Sequence, residues 1–222
     1  SLLSRHSTQA ANLIAAISKI DDKFLRSRVI VDSLLTIRRF KENGEDTTPL
    51  TPELLEIWRS VEIEIFRFQA ILVVMAYRIE QGEAEESAAL LLEAEKIWSV
   101  RPLDYVKVEL GYLAARELAD VDRIAATNWI ERTDALLLET AIGSAAANDA
   151  LHHAIGLATR ILPTLINLGT DEEVASDLAR IRRLIQSIPM PEYRAGLWSA
   201  LVVRLHFSGN SEKAKMVADE YI

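Results

Sequence analysis

Cysteine is absent from the chain. That excludes a disulfide framework, a thiolate zinc site and a cysteine nucleophile. No Asn-x-Ser/Thr sequon occurs either, and both absences fit a reducing compartment, so the expected location is cytoplasmic. Eight glycines and six prolines in 222 residues leave few breaks, and the elements should be long. The uncharged run Phe68–Tyr77 is bracketed by Arg67 and Arg78, far short of the roughly 20 residues that cross a bilayer. No basic-then-apolar leader opens the chain. It begins Ser-Leu-Leu rather than with Met, as expected of a fragment or a processed chain.

Basic charge is also in deficit: 25 Lys and Arg stand against 33 Asp and Glu, a net charge of −8. Phosphate backbones need a basic footprint, so no nucleic-acid partner is expected. The acidity gathers at Glu80, Glu83, Glu85, Glu86, Glu93 and Glu95, with Lys96 alone opposing it, the pattern of a solvated helix face. There is no glycine-rich phosphate loop and no serine-histidine-acid pattern with an elbow motif. No catalytic residues and no cofactor are therefore expected. His152 and His153 point about 100° apart on a helix and cannot chelate one ion together. Asp149, four residues before His153, could orient or pair with it, and no metal site is expected.

What is present favours helix. Half of the residues are apolar and 26% are charged, with Ala, Leu, Glu and Arg, all good helix formers, prominent among them. The fold class is all-α. A helix over 8–20 is followed by one that Asp21-Asp22 can start and that runs to about Lys41. The loop at 42–51 separates this pair (8–41) from the remainder (52–222) within one domain of 222 residues. Thr51-Pro52-Glu53 is a helix start, and that helix is expected to continue unbroken to Ile79, although "VEIEIFRF" (61–68) alternates like a strand. Further helices are expected over 83–99, 103–119, 122–141 and 146–167, the last containing Pro163. Thr170 and Glu173 form a capping box opening the next helix, which ends before Ile188-Pro189. The pair "EYRAGLWSALVVRLHFSGNSEKAKMVADEYI" (192–222) closes the chain.

That closing pair repeats a pattern. Arg204 lies 88 residues after Arg116, and Arg160 lies midway, 44 from each. Arg78 precedes Gly82 and Arg39 precedes Gly44 in similar fashion, and small residues (Ala88, Ala126, Val174, Ala214) recur early in the helix after each turn. The reading is about four to five antiparallel helix hairpins of 38–44 residues, stacked as an α-solenoid. In the closing pair, the first helix is apolar on several sides and the second carries one apolar stripe, the alternation by which hairpins stack.

Leu110-Gly111-Tyr112, "GEAEESAALLLEA" (82–94) and "GNSEKAKMVA" (209–218) carry a resemblance: the hairpins resemble tetratricopeptide-type (TPR-like) repeats, of the lengthened kind found in bacterial signalling and regulatory proteins. HEAT-type repeats of about 40–47 residues match the period as well. The TPR resemblance implies a right-handed superhelix that binds a protein or peptide and has no catalytic residues. Arg78, Arg116, Arg160 and Arg204 could then line one groove and clamp acidic groups of a partner, with Tyr112 and Asn128 nearby. The same arginines precede helix ends, where a cation complements the last carbonyls. Tryptophans 58, 98, 129 and 198 read as packing residues, and Arg180, Arg182 and Arg183 as a solvated stripe. The last helix runs its apolar stripe (Ala214, Val217, Ala218, Tyr221) to the end of the chain. A further part of a longer protein, a partner, or a second copy pairing through the C-terminal helix is expected to cover it. The rival is a helical-fold enzyme or small-ligand binder with a cavity between helices.

Overall fold

A computed structural model describes residues 2–42, 52–119, 121–140, 155–156, 158–159, 161–167 and 169–221. Among them the fold is all-helical, with no strand. The 42–51 loop (43–51), His152, His153, Asp149 and Arg160 lie outside the described residues. The chain divides into two compact units, Ser1–Val100 and Arg101–Ile222. This division falls at 100/101, away from the loop at which the sequence reading separated its first helix pair.

Unit 1 holds α1 (Leu2–Ser18), α2 (Lys23–Glu42), α3 (Pro52–Glu56), a 3₁₀ turn (Ile57–Ser60), α4 (Glu64–Glu80) and α5 (Ala84–Val100). The expected unbroken helix from Pro52 to Ile79 is therefore corrected: the chain leaves the helix at Val61–Ile63. Val61 (φ −75°, ψ 114°) and Ile63 (φ −84°, ψ 118°) are extended, which suits β-branched side chains. Val61 is buried, and Glu62 between them is drawn outward to Lys23 (2.6 Å) and Arg26. The Lys23 hydrogen bond foremost holds the Glu62 carboxyl below the usual range. The strand-like alternation at 61–68 thus marks a helix break. In α4, every residue from Ala70 to Ala76 is buried. A helix apolar on all sides must be enclosed, and α4 packs on α2 and α5.

Unit 2 holds α6 (Tyr105–Ala119), α7 (Arg123–Thr140), α8 (described at 155–156, 158–159 and 161–167), α9 (Asp171–Gln186), α10 (Pro191–Phe207) and α11 (Ser211–Tyr221). Several helix starts share one chemistry, a side-chain oxygen accepting the amide three residues on, whereas α10 starts after Met190 with no side-chain cap. Asp104 serves Lys107 (2.8 Å) and Asp122 serves Ala125 (2.9 Å), as Asp22 serves Leu25 (2.7 Å) in unit 1. At Thr170 the capping box is complete, and Glu173 accepts the Thr170 amide at 2.7 Å. That hydrogen bond is the main reason its carboxyl is held low.

Two turns are built alike. After α4, Glu83 N–H donates to Arg78 C=O (2.9 Å) and Gly82 N–H to Ile79 C=O (2.9 Å); after α10, Asn210 N–H donates to Leu205 C=O (2.9 Å) and Gly209 N–H to His206 C=O (3.1 Å). Both are Schellman motifs, closed by glycines at φ 77° and 85°. Matching the turns pairs Arg78 with Leu205 rather than with Arg204. The arginine register read from the sequence slips by one residue between these two helices, about 100° around the axis.

α6 and α7 approach closely at Gly111, where a Cβ would lie 2.1 Å from Thr133 Oγ1. In the closing pair, Ala214 and Val217 are buried where α11 packs on α10. That part of the apolar stripe of the last helix is covered within unit 2. Val203, Phe207 and Met216 are the exposed apolar residues of the pair. No helix among the described residues is long and apolar enough to cross a membrane.

Candidate binding cleft

The break at Val61–Ile63 turns the 3₁₀ segment against α4 and places Trp58 beside the α4/α5 pair. Arg67 and Arg78 sit 11 residues apart on α4, close to three full turns, so they share one face about 16 Å apart along the axis. α5 runs antiparallel to α4 and answers with Glu93, and the turn just before it with Glu83. Arg67 Nη2 donates to Glu93 at 2.9 Å, and Arg78 Nη1 donates to Glu83 at 2.5 Å. Arg78 Nη2 also reaches Glu56 at 3.1 Å, and Glu56 accepts from Arg59 as well. The result is a cleft of about 320 Å³ lined by Glu56, Trp58, Arg59, Arg67, Arg78, Glu86, Ala89, Leu90 and Glu93.

Trp58 is buried and two guanidinium groups stack on its ring, Arg59 at 4.9 Å and Arg67 at 5.6 Å from the centroid. Cation–π contact fixes their planes. Arg67 Nε is buried and has no hydrogen-bond partner. A second cavity in unit 1, about 500 Å³, is lined by Ile14, Ile17, Ser18, Arg26, Glu53, Glu56, Ile57, Ser60 and Glu62. Its floor is the three isoleucines, and Glu56 borders both cavities.

The residues singled out in the sequence divide between the units. Arg78 lines the cleft of unit 1. In unit 2, Tyr112 is only 1% exposed, and its hydroxyl donates to Asp134 Oδ1 at 2.7 Å. Burial first, then the Asp134 charge and hydrogen bond, push its phenol well above the usual range. Arg116, 45% exposed at its side chain, pairs with its neighbour Glu117 at 2.6 Å, and Asn128 is exposed. Arg204 donates to Thr159 Oγ1 and to Gly156 C=O (3.5 Å) on α8. These side chains tie their helices to carboxylates or to a neighbouring helix.

Unit 2 also holds a polar chain that the sequence reading missed. Arg180, read as solvated, is only 12% exposed at its side chain. It donates to Asp134 Oδ2 (3.1 Å) and pairs with Asp177 (3.9 Å), while Arg123 donates to Asp177 (3.2 Å) and pairs with Glu173 (3.5 Å). The chain Tyr112–Asp134–Arg180–Asp177–Arg123–Glu173 joins α6, α7 and α9. A signal was available: Asp177 lies in the 174, 177, 181, 184 stripe of α9, whose other members, Val174, Ile181 and Leu184, are buried and apolar. A charge on such a stripe needs a buried partner.

Trp58, Arg59 and Arg67 were likewise not foreseen as one site, because their meeting depends on the helix break. In comparison with models of known protein families, with curated proteins and with solved structures, the chain matches none.

Proposed function

We propose that this protein is a helical-repeat scaffold that binds a protein or peptide partner, and that an extended segment of the partner lies in the unit 1 cleft. The carrying observation is the shape and chemistry of that cleft. Its arginines span about 16 Å of α4, the length of about five extended residues at roughly 3.3 Å each. Charges of both signs alternate along it above an indole. Such a row of donors and acceptors suits a peptide backbone with its side chains better than a compact substrate.

The repeat reading, a TPR-like right-handed solenoid of helix hairpins, is supported by the two matching Schellman turns and by an enclosed α4 beside a less buried α5. Arg116 and Asn128 on unit 2, with Arg160 and Arg204 from the sequence register, belong to the proposal as a second contact region, whereas the buried Tyr112 serves Asp134 and is left out of it. A cytoplasmic setting, with the chain serving as one module of a longer regulatory protein, goes with this reading. The alternative of a small-ligand binder rests on the second cavity, whose volume lies in the range of small-molecule sites.

The test is selection of a displayed random-peptide library on the purified protein. Enriched peptides should bind the wild type and lose about tenfold or more with Arg59→Glu combined with Glu86→Lys, both at exposed rim positions. Enrichment of nothing, or peptides that bind the double variant equally well, would sink the reading.

A further inference from the structure

The cleft has one end whose chemistry is more specific than peptide binding requires. Arg59 and Arg67 press on the same indole at 4.9 and 5.6 Å. Two like charges brought to one ring need anionic oxygen nearby. The fold supplies it as Glu56 for Arg59 and Glu93 for Arg67. Two carboxylates are therefore already in place, yet Arg67 Nε stays buried without an acceptor. A third carboxylate would repeat what the site has. A tetrahedral dianion with three acceptor oxygens that takes the place of the Glu93 and Glu56 carboxylates could reach the outer nitrogens of Arg67 and Arg59 at once.

We propose that the Arg59–Arg67 end of the cleft, backed by Trp58, receives a phosphoryl group. This inference rests on the cleft being a recognition surface. Glu56 and Glu93 act as place-holders that keep the guanidinium planes aligned in the free protein. Their side chains are 41% and 31% exposed. Exposed carboxylate–guanidinium pairs contribute roughly 0–1 kcal/mol, so exchange for a dianion is inexpensive. Arg78 shares Glu56 with Arg59; when Glu56 is exchanged it keeps Glu83 and remains available to the rest of a bound peptide. The phosphoryl group can come from a phosphorylated side chain of a partner or from free phosphate, and the experiment separates the two.

Binding is measured by calorimetry with three capped pentapeptides, identical except for phosphoserine, serine or glutamate at the centre, and with inorganic phosphate alone. The phosphopeptide should bind at least about tenfold tighter than the serine and glutamate peptides. Arg59→Gln and Arg67→Gln should each remove about tenfold or more of that affinity. Arg67→Lys keeps the charge but lacks the planar guanidinium fork, and it should lose as much while melting like the wild type. Binding should weaken several-fold from about pH 7.5 to about pH 5, as the second phosphate ionisation near 6 is reversed. Phosphopeptide binding tighter than that of free phosphate assigns the source to a partner protein; equal binding assigns it to the free ion. Equal affinity for the three peptides, with no binding of phosphate, would overturn the inference. So would full affinity in the Arg67 variants. If library-selected peptides still depend on Arg59 and Glu86 in that case, the groove stands and only the phosphoryl assignment falls.

Discussion

Replacing Gly111 with alanine would put a methyl group where Thr133 already sits. The added Cβ would lie 2.1 Å from Thr133 Oγ1, 3.0 Å from its Cγ2 and 3.1 Å from its Cβ. Thr133 cannot easily yield. It is 0% exposed, and its hydroxyl donates to Trp129 C=O at 2.6 Å. Rotating χ1 gives up that bond, about 1 kcal/mol, and overpacking costs about 1–3 kcal/mol. Against this, alanine gains about 1 kcal/mol of helix propensity over glycine. Packing wins, by roughly 1–3 kcal/mol net. For a chain of this size each kcal/mol lowers the melting temperature by about 2–4 °C. Urea or thermal unfolding followed by circular dichroism reads the loss. Gly196→Ala is the control, because Gly196 is an exposed position within α10 with nothing within 4 Å of its added Cβ. It should gain about 0.5–1 kcal/mol. Adding Thr133→Ala to Gly111→Ala should recover part of the loss. A Gly111→Ala protein as stable as the wild type, or more so, would refute the close α6–α7 approach.

Other expectations concern charge and turns. Arg180→Ala should cost about 3 kcal/mol, since it leaves Asp134 without a cation in a largely buried setting while Asp177 keeps Arg123, whereas Arg28→Ala, at a pair exposed on both sides, should stay within about 0.5 kcal/mol; equal losses in urea unfolding would contradict the assigned burial. Tyr112 should be missing from the spectrophotometric phenol titration of the folded protein at the pH where ordinary tyrosines ionise. Because its folded pKa is raised, the stability it contributes is fully present below the unfolded value near 10 and falls as pH rises beyond it; Tyr112→Phe should flatten that alkaline loss. Gly82→Ala and Gly209→Ala, at φ 77° and 85°, should each cost about 1–2 kcal/mol in thermal unfolding, and a neutral result at either would deny the left-handed turn.

Helix beginnings and ends were legible because they are local. A Thr-x-x-Glu cap at Thr170 or a Gly-Asn turn at Gly209 satisfies backbone groups within one or two turns of the same residue. The enclosed character of α4 was legible too, in an apolar run with no polar side. The break at Val61–Ile63 was visible as alternation but was absorbed into a helix, since its flanks are helical. There Val61 is buried and Ile63 N–H donates to Ser27 Oγ (3.5 Å), 36 residues earlier, while Glu62 meets Lys23 and Arg26 at the surface. Arg180 was misread because its charge was weighed without Asp134, 46 residues away. The arginine register also shifted once backbone hydrogen bonds, rather than letters, aligned the turns.

The sequence by itself determined that this chain is helical, where most of its helices start and stop, and that it carries no thiol chemistry. Those properties follow from propensity, caps and composition, which act over a few residues. Only the tertiary structure decided which charges meet. It placed Arg59 and Arg67 on Trp58, drew Tyr112 and Arg180 to a shared Asp134, and spent Arg204 on α8. Long side chains choose partners by which helix faces are buried together, and that choice is made across the fold rather than along the chain.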